Sequence, residues 1–241
     1  MDLSIFGHHD SEKRAHVDLP TGYDAHVRWI PRLGDIFPNF EIEHEGGTFR
    51  FHDWAEGNWV YFFSHPAAFT PVCTTEIADV AAHGEELARR GVKALNLSLD
   101  APEMQAQWLA DIERLFDVKV DFPLLSDPTG KIAGICGMLH PHEDKLLCVR
   151  KSFVIDPSLR IRVIAEYPLN VGRDFEEVLR VIDALQATDG NGLVAPGGWM
   201  PGDPLLVHPY IYTDEAKERF GTRLRVLNRY MRLLMPTLGK G

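Results

Sequence analysis

The sequence is poor in cysteine. Its 241 residues include three cysteines, Cys73, Cys136 and Cys148, and no C-x-x-C pair. An odd number of widely spaced cysteines does not indicate the disulfide framework of a small secreted protein. We therefore expect a reducing, cytoplasmic setting.

Long apolar runs and excess positive charge are also missing. No stretch approaches the roughly 18 apolar residues of a membrane span, and the N-terminus has no apolar run typical of a signal peptide. These features predict an unexported, soluble protein. The net charge of -10 argues against nucleic acid or an anionic membrane as the main partner. Small molecules or other proteins fit this charge better.

The composition changes twice along the chain. Residues 1–30 are polar and His-rich without periodicity, which predicts an N-terminal extension. We interpret its "GHHD" segment as solvated polar sequence, without the further ligands of a metal site. Regular patterning follows over residues 31–190, and a stretch dense in glycine and proline then introduces a C-terminal arm or dimerisation domain, residues 191–241.

The end of this arm, "TDEAKERFGTRLRVLNRYMRLLMP", has apolar residues at helical spacing and is basic. It predicts an amphipathic helix with an N-cap at Thr213. Such a helix could lie on a membrane surface, bind a partner helix, or pack on the body of the protein or a second subunit.

The central region alternates between strand and helix patterns. Apolar runs at 59–65 and 92–99 predict buried strands, and a helix from Pro71 to Arg90 lies between them, with Gly91 as its stop. A second helix is predicted from Pro102 to Phe116. A hairpin turning at Pro157 and a final helix complete an α/β pattern. We predict a thioredoxin-like mixed sheet flanked by helices.

Cys73 stands at the start of the first of these helices. With Thr70 as N-cap and Pro71 at the first helical position, Cys73 falls in the first turn. The positive end of a helix dipole stabilises a thiolate there. Local capping rules do not separate this interpretation from a small buried cysteine.

The wider spacing distinguishes these alternatives. Pro66, Thr70 and Cys73 form P-x-x-x-T-x-x-C, and "FSHPAAFTPVCTTE" resembles the active-site signature of the peroxiredoxins. With "PRLGDIFPNFE" and "GRDFEEVLRVIDALQ", the chain resembles the one-cysteine, peroxiredoxin-6-like subfamily over residues 31–215. The resemblance implies a thiol peroxidase with a thioredoxin-like fold.

The resemblance also implies roles for individual residues. The matching cysteine, Cys73, is the peroxide-attacking nucleophile, Thr70 hydrogen-bonds the peroxide, and Pro66 shields the site from water. The matching arginine is Arg150 in "VRKSFVID". These roles fit the chemistry, because sulfur attack on a peroxide needs a thiolate, a fixed cation and hydrogen-bond donors along the O–O bond.

Two further residues have competing interpretations. Arg173 matches a second arginine near the family's site, but it could instead balance Asp174 at a helix N-terminus. His65 matches the subfamily's histidine and could bind substrate or tune the thiolate. Alternatively, a backbone carbonyl could hold His65 at the end of the strand.

The remaining cysteines determine how the oxidised enzyme is reduced. Cys136 looks like a packed small residue. Cys148 lies two residues before Arg150 on the same predicted strand, so strand alternation places both side chains on one face. We favour a structural role for both cysteines, and hence a one-cysteine cycle reduced by an external thiol, glutathione or a thioredoxin-like protein.

The resulting prediction is an enzyme that reduces hydrogen peroxide and organic hydroperoxides without metal or organic cofactor. The alternative is a peroxide sensor or holdase-type chaperone in which turnover is incidental. The apolar C-terminal arm also predicts a homodimer or a ring of dimers.

Overall fold

The structure is a computed structural model that describes residues 30–44 and 47–237. Apart from Ile30, the predicted N-terminal extension with its "GHHD" segment lies outside the described residues. The strands are β1 (Glu41–His44), β2 (Gly47–Arg50), β3 (Trp59–Ser64), β4 (Val92–Ser98), β5 (Leu124–Ser126), β6 (Arg150–Ile155), β7 (Ile161–Tyr167), β8 (Leu193–Val194), β9 (Leu205–Val207), β10 (Leu224–Val226) and β11 (Arg232–Leu234). The helices are α1 (Phe51–Ala55), α2 (Pro71–Ala82), α3 (Gly84–Arg89), α4 (Pro102–Phe116), α5 (Lys131–Ile135), α6 (Phe175–Thr188) and α7 (Thr213–Phe220).

A five-stranded sheet forms the centre of the fold, in the order β5-β4-β3-β6-β7. Strands β3, β4 and β5 are parallel, and β6 and β7 run antiparallel to their neighbours. Every residue of β3 is buried, as expected for a central strand covered on both faces. The predicted mixed sheet flanked by helices is confirmed.

Two apolar layers cover the two faces of this sheet. The Cys73 layer contains Cys73 and is built with side chains from α2, α4 and α6. The Cys148 layer contains Cys136 and Cys148 and is built with side chains from α1 and α5. The sheet therefore separates Cys73 from the other two cysteines.

The helix predicted from Pro71 to Arg90 is two helices, α2 and α3, separated at His83. His83 leaves the helical conformation, with ψ at 17°. Its ring lies 2.8 Å from the carbonyl oxygen of Asp79 and 3.3 Å from the carboxylate of Glu176. Gly91 does follow the second helix with a φ of +64°, the left-handed conformation of a helix stop.

The long C-terminal helix predicted from Thr213 is wrong beyond Phe220. Gly221 ends α7 with a φ of 54° and a ψ of -133°, a conformation suited to glycine. The side chain of Asn228 then accepts hydrogen bonds from the backbone of Tyr230 and Met231, so the chain turns back. β10 and β11 form a hairpin in which Leu224 pairs with Leu234.

The N-cap of α7 is Tyr212 rather than Thr213. The C-terminal strands form a separate four-stranded sheet in the order β10-β11-β9-β8. The earliest of these strands in the chain is β8, which begins at Leu193. The domain boundaries at residues 30 and 190 stay predictions. Within the described ranges, no helix combines the length and apolarity needed to cross a membrane.

Candidate active site

The turn from β3 into α2 carries the first group of predicted site residues. Pro66 is buried in this turn, and Phe69, half exposed, has a φ of +57° that is strained for a residue other than glycine. Thr70 is the N-cap of α2 by its backbone angles. Its hydroxyl donates to the carbonyl of Ala67 at 2.8 Å, and no N–H group of the helix donates to the hydroxyl oxygen.

Cys73 lies in the first turn of α2, as the sequence predicts, and its side chain is fully buried. The guanidinium Nη1 of Arg150 donates to Cys73 Sγ at 3.3 Å. A fixed cation donating to sulfur stabilises the thiolate, which is the reactive form. The structure thus brings together two residues that are 77 positions apart in sequence.

Glu76 is a site residue that the sequence reasoning missed. Its carboxylate accepts from Arg150 Nη1 at 2.6 Å and from Arg173 Nε at 2.9 Å. Burial alone would raise the pKa of Glu76, but the charge and hydrogen bonds of Arg173, with the charge of Arg150, hold that pKa below its usual value. The signal was present: Glu76 follows Cys73 by three residues, which places both on one face of α2.

Arg150 is held at several points besides Glu76. Its Nε and Nη2 donate to the carbonyl of Leu169 at 3.2 and 2.8 Å. The side chain is only 2% exposed. A planar guanidinium can serve Leu169, Glu76 and Cys73 at once, whereas a single ammonium group cannot match this geometry.

Arg173 also lies at the site, where it binds Glu76 rather than Asp174. Its Nη2 donates to Glu76 Oε2 at 3.0 Å and to the carbonyl of Ser64 at 2.9 Å. Its guanidinium stands 5.0 Å from the ring centroid of Phe63. Asp174 has a separate function, because it caps α6 by accepting from the backbone of Glu177.

His65 is fully buried, and its ring contacts side chains rather than a backbone carbonyl. Nδ1 lies 2.7 Å from Asn96 Oδ1 and Nε2 lies 3.3 Å from Asp100 Oδ2. The same Asp100 oxygen accepts from the backbone N–H of Ala68 at 2.9 Å, in the turn before Thr70. Burial alone would raise the pKa of Asp100, but the nearby His65 ring and hydrogen bonds from Ser98 and Ala68 lower it. His65 therefore supports the turn through Asp100.

Cys136 and Cys148 are fully buried in the Cys148 layer. Burial raises the pKa of both thiols to about 12, so both are protonated at neutral pH. The prediction that Cys148 shares a face with Arg150 is wrong. The backbone N–H of Lys151 donates to the carbonyl of Val149 at 3.0 Å, and this tight turn breaks the alternation of the strand between Cys148 and Arg150.

A metal centre is not evident at this site. Among residues 30–44 and 47–237, no group of three or more His, Cys, Asp or Glu could hold a metal ion. Arg150, Arg173 and Glu76 form a linked group of charges beside Cys73. The arrangement can stabilise a thiolate and the negative charge that develops on an attacked oxygen.

Comparisons with known proteins agree with this chemistry. The profile of the AhpC/TSA family matches residues 33–164, and that of the C-terminal domain of 1-Cys peroxiredoxin matches residues 184–223. The chain belongs to the AhpC/TSA family and is a thiol peroxidase.

Individual relatives define the subfamily. Mitochondrial peroxiredoxin PRX1 of Saccharomyces cerevisiae is 41% identical over 197 residues, which are 79% of this chain and 76% of that protein. The 1-Cys peroxiredoxin of Dictyostelium discoideum is 34% identical over 202 residues, 84% of each chain. Together with the C-terminal match, they place the chain among the one-cysteine peroxiredoxins.

Solved structures show the same fold. A crystal structure of a cysteine-to-serine mutant of peroxiredoxin 6 of Arenicola marina has a TM-score of 0.81 and 36% identity, and covers 85% of this chain and 98% of that one. A structure of the yeast mitochondrial 1-Cys peroxiredoxin, concerned with thiol resolution through glutathione and thioredoxin systems, has a TM-score of 0.79 and 39% identity. It covers 85% of this chain and 99% of that one.

Proposed function

We propose that Cys73 reduces hydrogen peroxide and organic hydroperoxides directly. The Cys73 thiolate attacks one peroxide oxygen, the O–O bond breaks, and the other oxygen leaves with the electron pair and takes up a proton as water or an alcohol. Cys73 is left as a sulfenic acid. The 3.3 Å contact from Arg150 Nη1 to Cys73 Sγ is the observation that carries this proposal, because it places a fixed cation at the reacting sulfur.

Thr70 and Pro66 complete the proposed site. The Thr70 hydroxyl stands three residues before Cys73 and, on leaving the Ala67 carbonyl, can donate to a bound peroxide. The buried ring of Pro66 helps to exclude water from the turn. The proposed role of His65 is to stabilise this turn through Asp100.

The reductant in this proposal is an external thiol. One thiol condenses with the Cys73 sulfenic acid to give a mixed disulfide and water. A second thiol then attacks the sulfur of the first, which forms a disulfide between the two external thiols and releases Cys73 as a thiolate. Cys136 and Cys148 are unsuited to this step, because they lie across the sheet and their pKa values are about 12. In the yeast mitochondrial relative, thiol resolution proceeds through the glutathione and thioredoxin systems, which supports a reductant of either kind here.

Steady-state peroxide consumption with glutathione, or with thioredoxin and its reductase, tests this function. We expect many turnovers per Cys73 and no turnover in Cys73→Ser. A sensor or holdase-type chaperone would instead stop after about one equivalent of peroxide, because its oxidised thiol is not recycled. Turnover by Cys73→Ser would contradict the mechanism.

We also propose that the protein forms homodimers, which could assemble into a ring. Strand β7 is an edge of the five-stranded sheet, and Tyr210, Tyr212 and Tyr230 on the C-terminal arm are 86%, 79% and 64% exposed. Both are surfaces that a second subunit can cover. Sedimentation equilibrium should give twice the chain mass or a multiple of it, and a monomer at micromolar concentration would contradict the proposal.

A cytoplasmic location is proposed from the cysteines. All three are free thiols, which suits a reducing compartment. Cell fractionation should recover the protein with cytoplasmic markers, and recovery in an organelle or outside the cell would contradict this location.

A further inference from the structure

Arg150 lies where the regular pairing of its strand begins. The ladder between β3 and β6 ends at the pair Phe63 and Ser152. Beyond it, the backbone N–H of Lys151 turns to the carbonyl of Val149, only two residues earlier, at 3.0 Å. This turn is centred on Arg150 and brings its side chain to the Cys73 face of the sheet.

The hydroxyl group of Ser64 holds this turn. Ser64 is fully buried at the end of β3, and its Oγ donates to the carbonyl of Val149 at 2.7 Å. The same oxygen accepts from the backbone N–H of Lys151 at 3.2 Å. Ser64 therefore contacts the residues immediately before and after Arg150, and it fixes the backbone from which the guanidinium projects.

The backbone of Ser64 contacts the second arginine. Its carbonyl accepts from Arg173 Nη2 at 2.9 Å, and Arg173 Nη1 donates to the carbonyl of Lys151 at 3.2 Å. Both arginines bind the carboxylate of Glu76. A shift of the turn would therefore disturb the whole group of charges around Cys73.

We propose that Ser64 is a positioning residue for peroxide reduction, which acts by fixing the backbone on both sides of Arg150. The inference rests on the proposed function of Cys73. Arg150 Nη1 lies at hydrogen-bond distance from Cys73 Sγ, so a small backbone shift removes the contact. Displacement of a catalytic group by 1 Å can lower a rate by about 100-fold.

Two variants of nearly equal shape isolate the hydroxyl group. Ser64→Thr retains it, whereas Ser64→Val replaces it with a methyl group. The rate of Cys73 oxidation is measured in a single turnover with hydrogen peroxide, and the rate of sulfenic acid reduction by added thiol is measured separately. We expect oxidation by Ser64→Val to be at least about 10-fold slower than by Ser64→Thr, with a smaller change in the reduction rate.

A merely structural role would lower the melting temperature without this selective loss. Equal oxidation rates for folded Ser64→Thr and Ser64→Val, measured well below both melting temperatures, would overturn the proposal. If the added methyl group unfolds both variants, Ser64→Ala is compared with Thr188→Val, which loses a hydroxyl-to-carbonyl bond of 2.8 Å at the C-terminal end of α6. Slow oxidation in Ser64→Ala alone supports the proposal, and wild-type rates in both overturn it.

The wild-type protein separates this proposal from the proposed function. Oxidation of wild-type Cys73 by stoichiometric peroxide establishes the reaction, whatever the Ser64 variants do. If wild-type Cys73 fails to react, the proposed function has failed. If it reacts and the Ser64 variants react equally fast, only the role of Ser64 has failed.

Discussion

Replacing Glu76 with glutamine should destabilise the protein and slow peroxide reduction. The Glu76 carboxylate is 5% exposed and lies 2.6 Å from Arg150 Nη1. Both oxygens of the carboxylate accept from arginine N–H groups. The side-chain amide of the variant must therefore point its NH2 group, which cannot accept, at either Arg150 or Arg173. The two buried arginines then share no anion, and loss of one partner from a buried ion pair costs about 3–5 kcal/mol.

This cost translates into a measurable change in thermal unfolding. For a chain of this size, 1 kcal/mol lowers the Tm by about 2–4 °C, so a decrease of about 6–20 °C is expected. Arg150 should also move from Cys73, and the rate of Cys73 oxidation should fall by about 100-fold. Differential scanning calorimetry and single-turnover peroxide kinetics measure the two effects.

Glu177→Gln is the matched control. Glu177 also binds an arginine, Arg180, but it is 51% exposed, and exposed ion pairs contribute only about 0–1 kcal/mol. Its Tm and its oxidation rate should stay close to those of the wild type. If Glu76→Gln behaves like this control, the carboxylate does not organise the site and the reasoning is refuted.

The destabilisation should also depend on pH. The folded-state pKa of Glu76 lies below its usual value, because Arg173 and Arg150 outweigh the effect of burial. The ionised carboxylate therefore stabilises the folded state above the unfolded pKa of about 4.3, and this contribution is lost as the pH falls through the lower folded pKa. The difference in unfolding free energy between wild type and Glu76→Gln should be full at neutral pH and shrink below about pH 4. A constant difference would contradict the assignment.

Three further changes have defined outcomes. Arg150→Lys should lower the rate of Cys73 oxidation about 100-fold, because one ammonium group cannot replace the contacts of the guanidinium fork. Stopped-flow peroxide kinetics measure this rate, and a wild-type rate would contradict the role of Arg150. Cys148→Ala should retain steady-state turnover in the peroxide assay, and loss of turnover in a folded protein would implicate this thiol. Trp108→Phe removes the 2.9 Å hydrogen bond from Trp108 Nε1 to Thr74 Oγ1 and leaves a cavity at a side chain that is 1% exposed, so urea unfolding should show a loss of at least about 1 kcal/mol. Unchanged stability would contradict both contributions.

The central sheet and helix α4 were predictable from the sequence, because local rules and tertiary packing favour the same structure in both. The continuous apolar run of β3 predicted a strand that is buried on both faces. Pro102 marks the start of α4 and Phe116 its end, as predicted. By contrast, the break at His83 depends on its ring contacts with Asp79 and Glu176, one of them distant in sequence. Periodicity alone does not contain such contacts.

The C-terminal arm shows how one apolar pattern can fit two structures. Leu224 and Leu234 have a spacing that suits a helix, but they also pair across the β10–β11 hairpin. The conformation of Gly221 and the turn at Asn228 favour the hairpin. The prediction gave the helical periodicity more weight than these two turn residues.

The site was predictable in its nucleophile and cation, but not in the contacts that position them. The position of Cys73 follows from Thr70 and Pro71, and resemblance to the peroxiredoxins pointed to Arg150. The place of Cys148 could not be predicted, because one irregular turn at Arg150 reverses the expected face of the strand. Such a turn has no local signal in the sequence, since its stabilising hydroxyl belongs to Ser64, 85 residues before Val149.

The central claim is that Cys73 alone carries out the redox chemistry of this chain. Peptide mass mapping of the full-length protein, treated with one equivalent of hydrogen peroxide and a sulfenic-acid trap, tests it most directly. The account predicts trapped sulfenic acid at Cys73 and unmodified thiols at Cys136 and Cys148. A disulfide between Cys73 and Cys148, or consumption of peroxide with Cys73 unmodified, would contradict it.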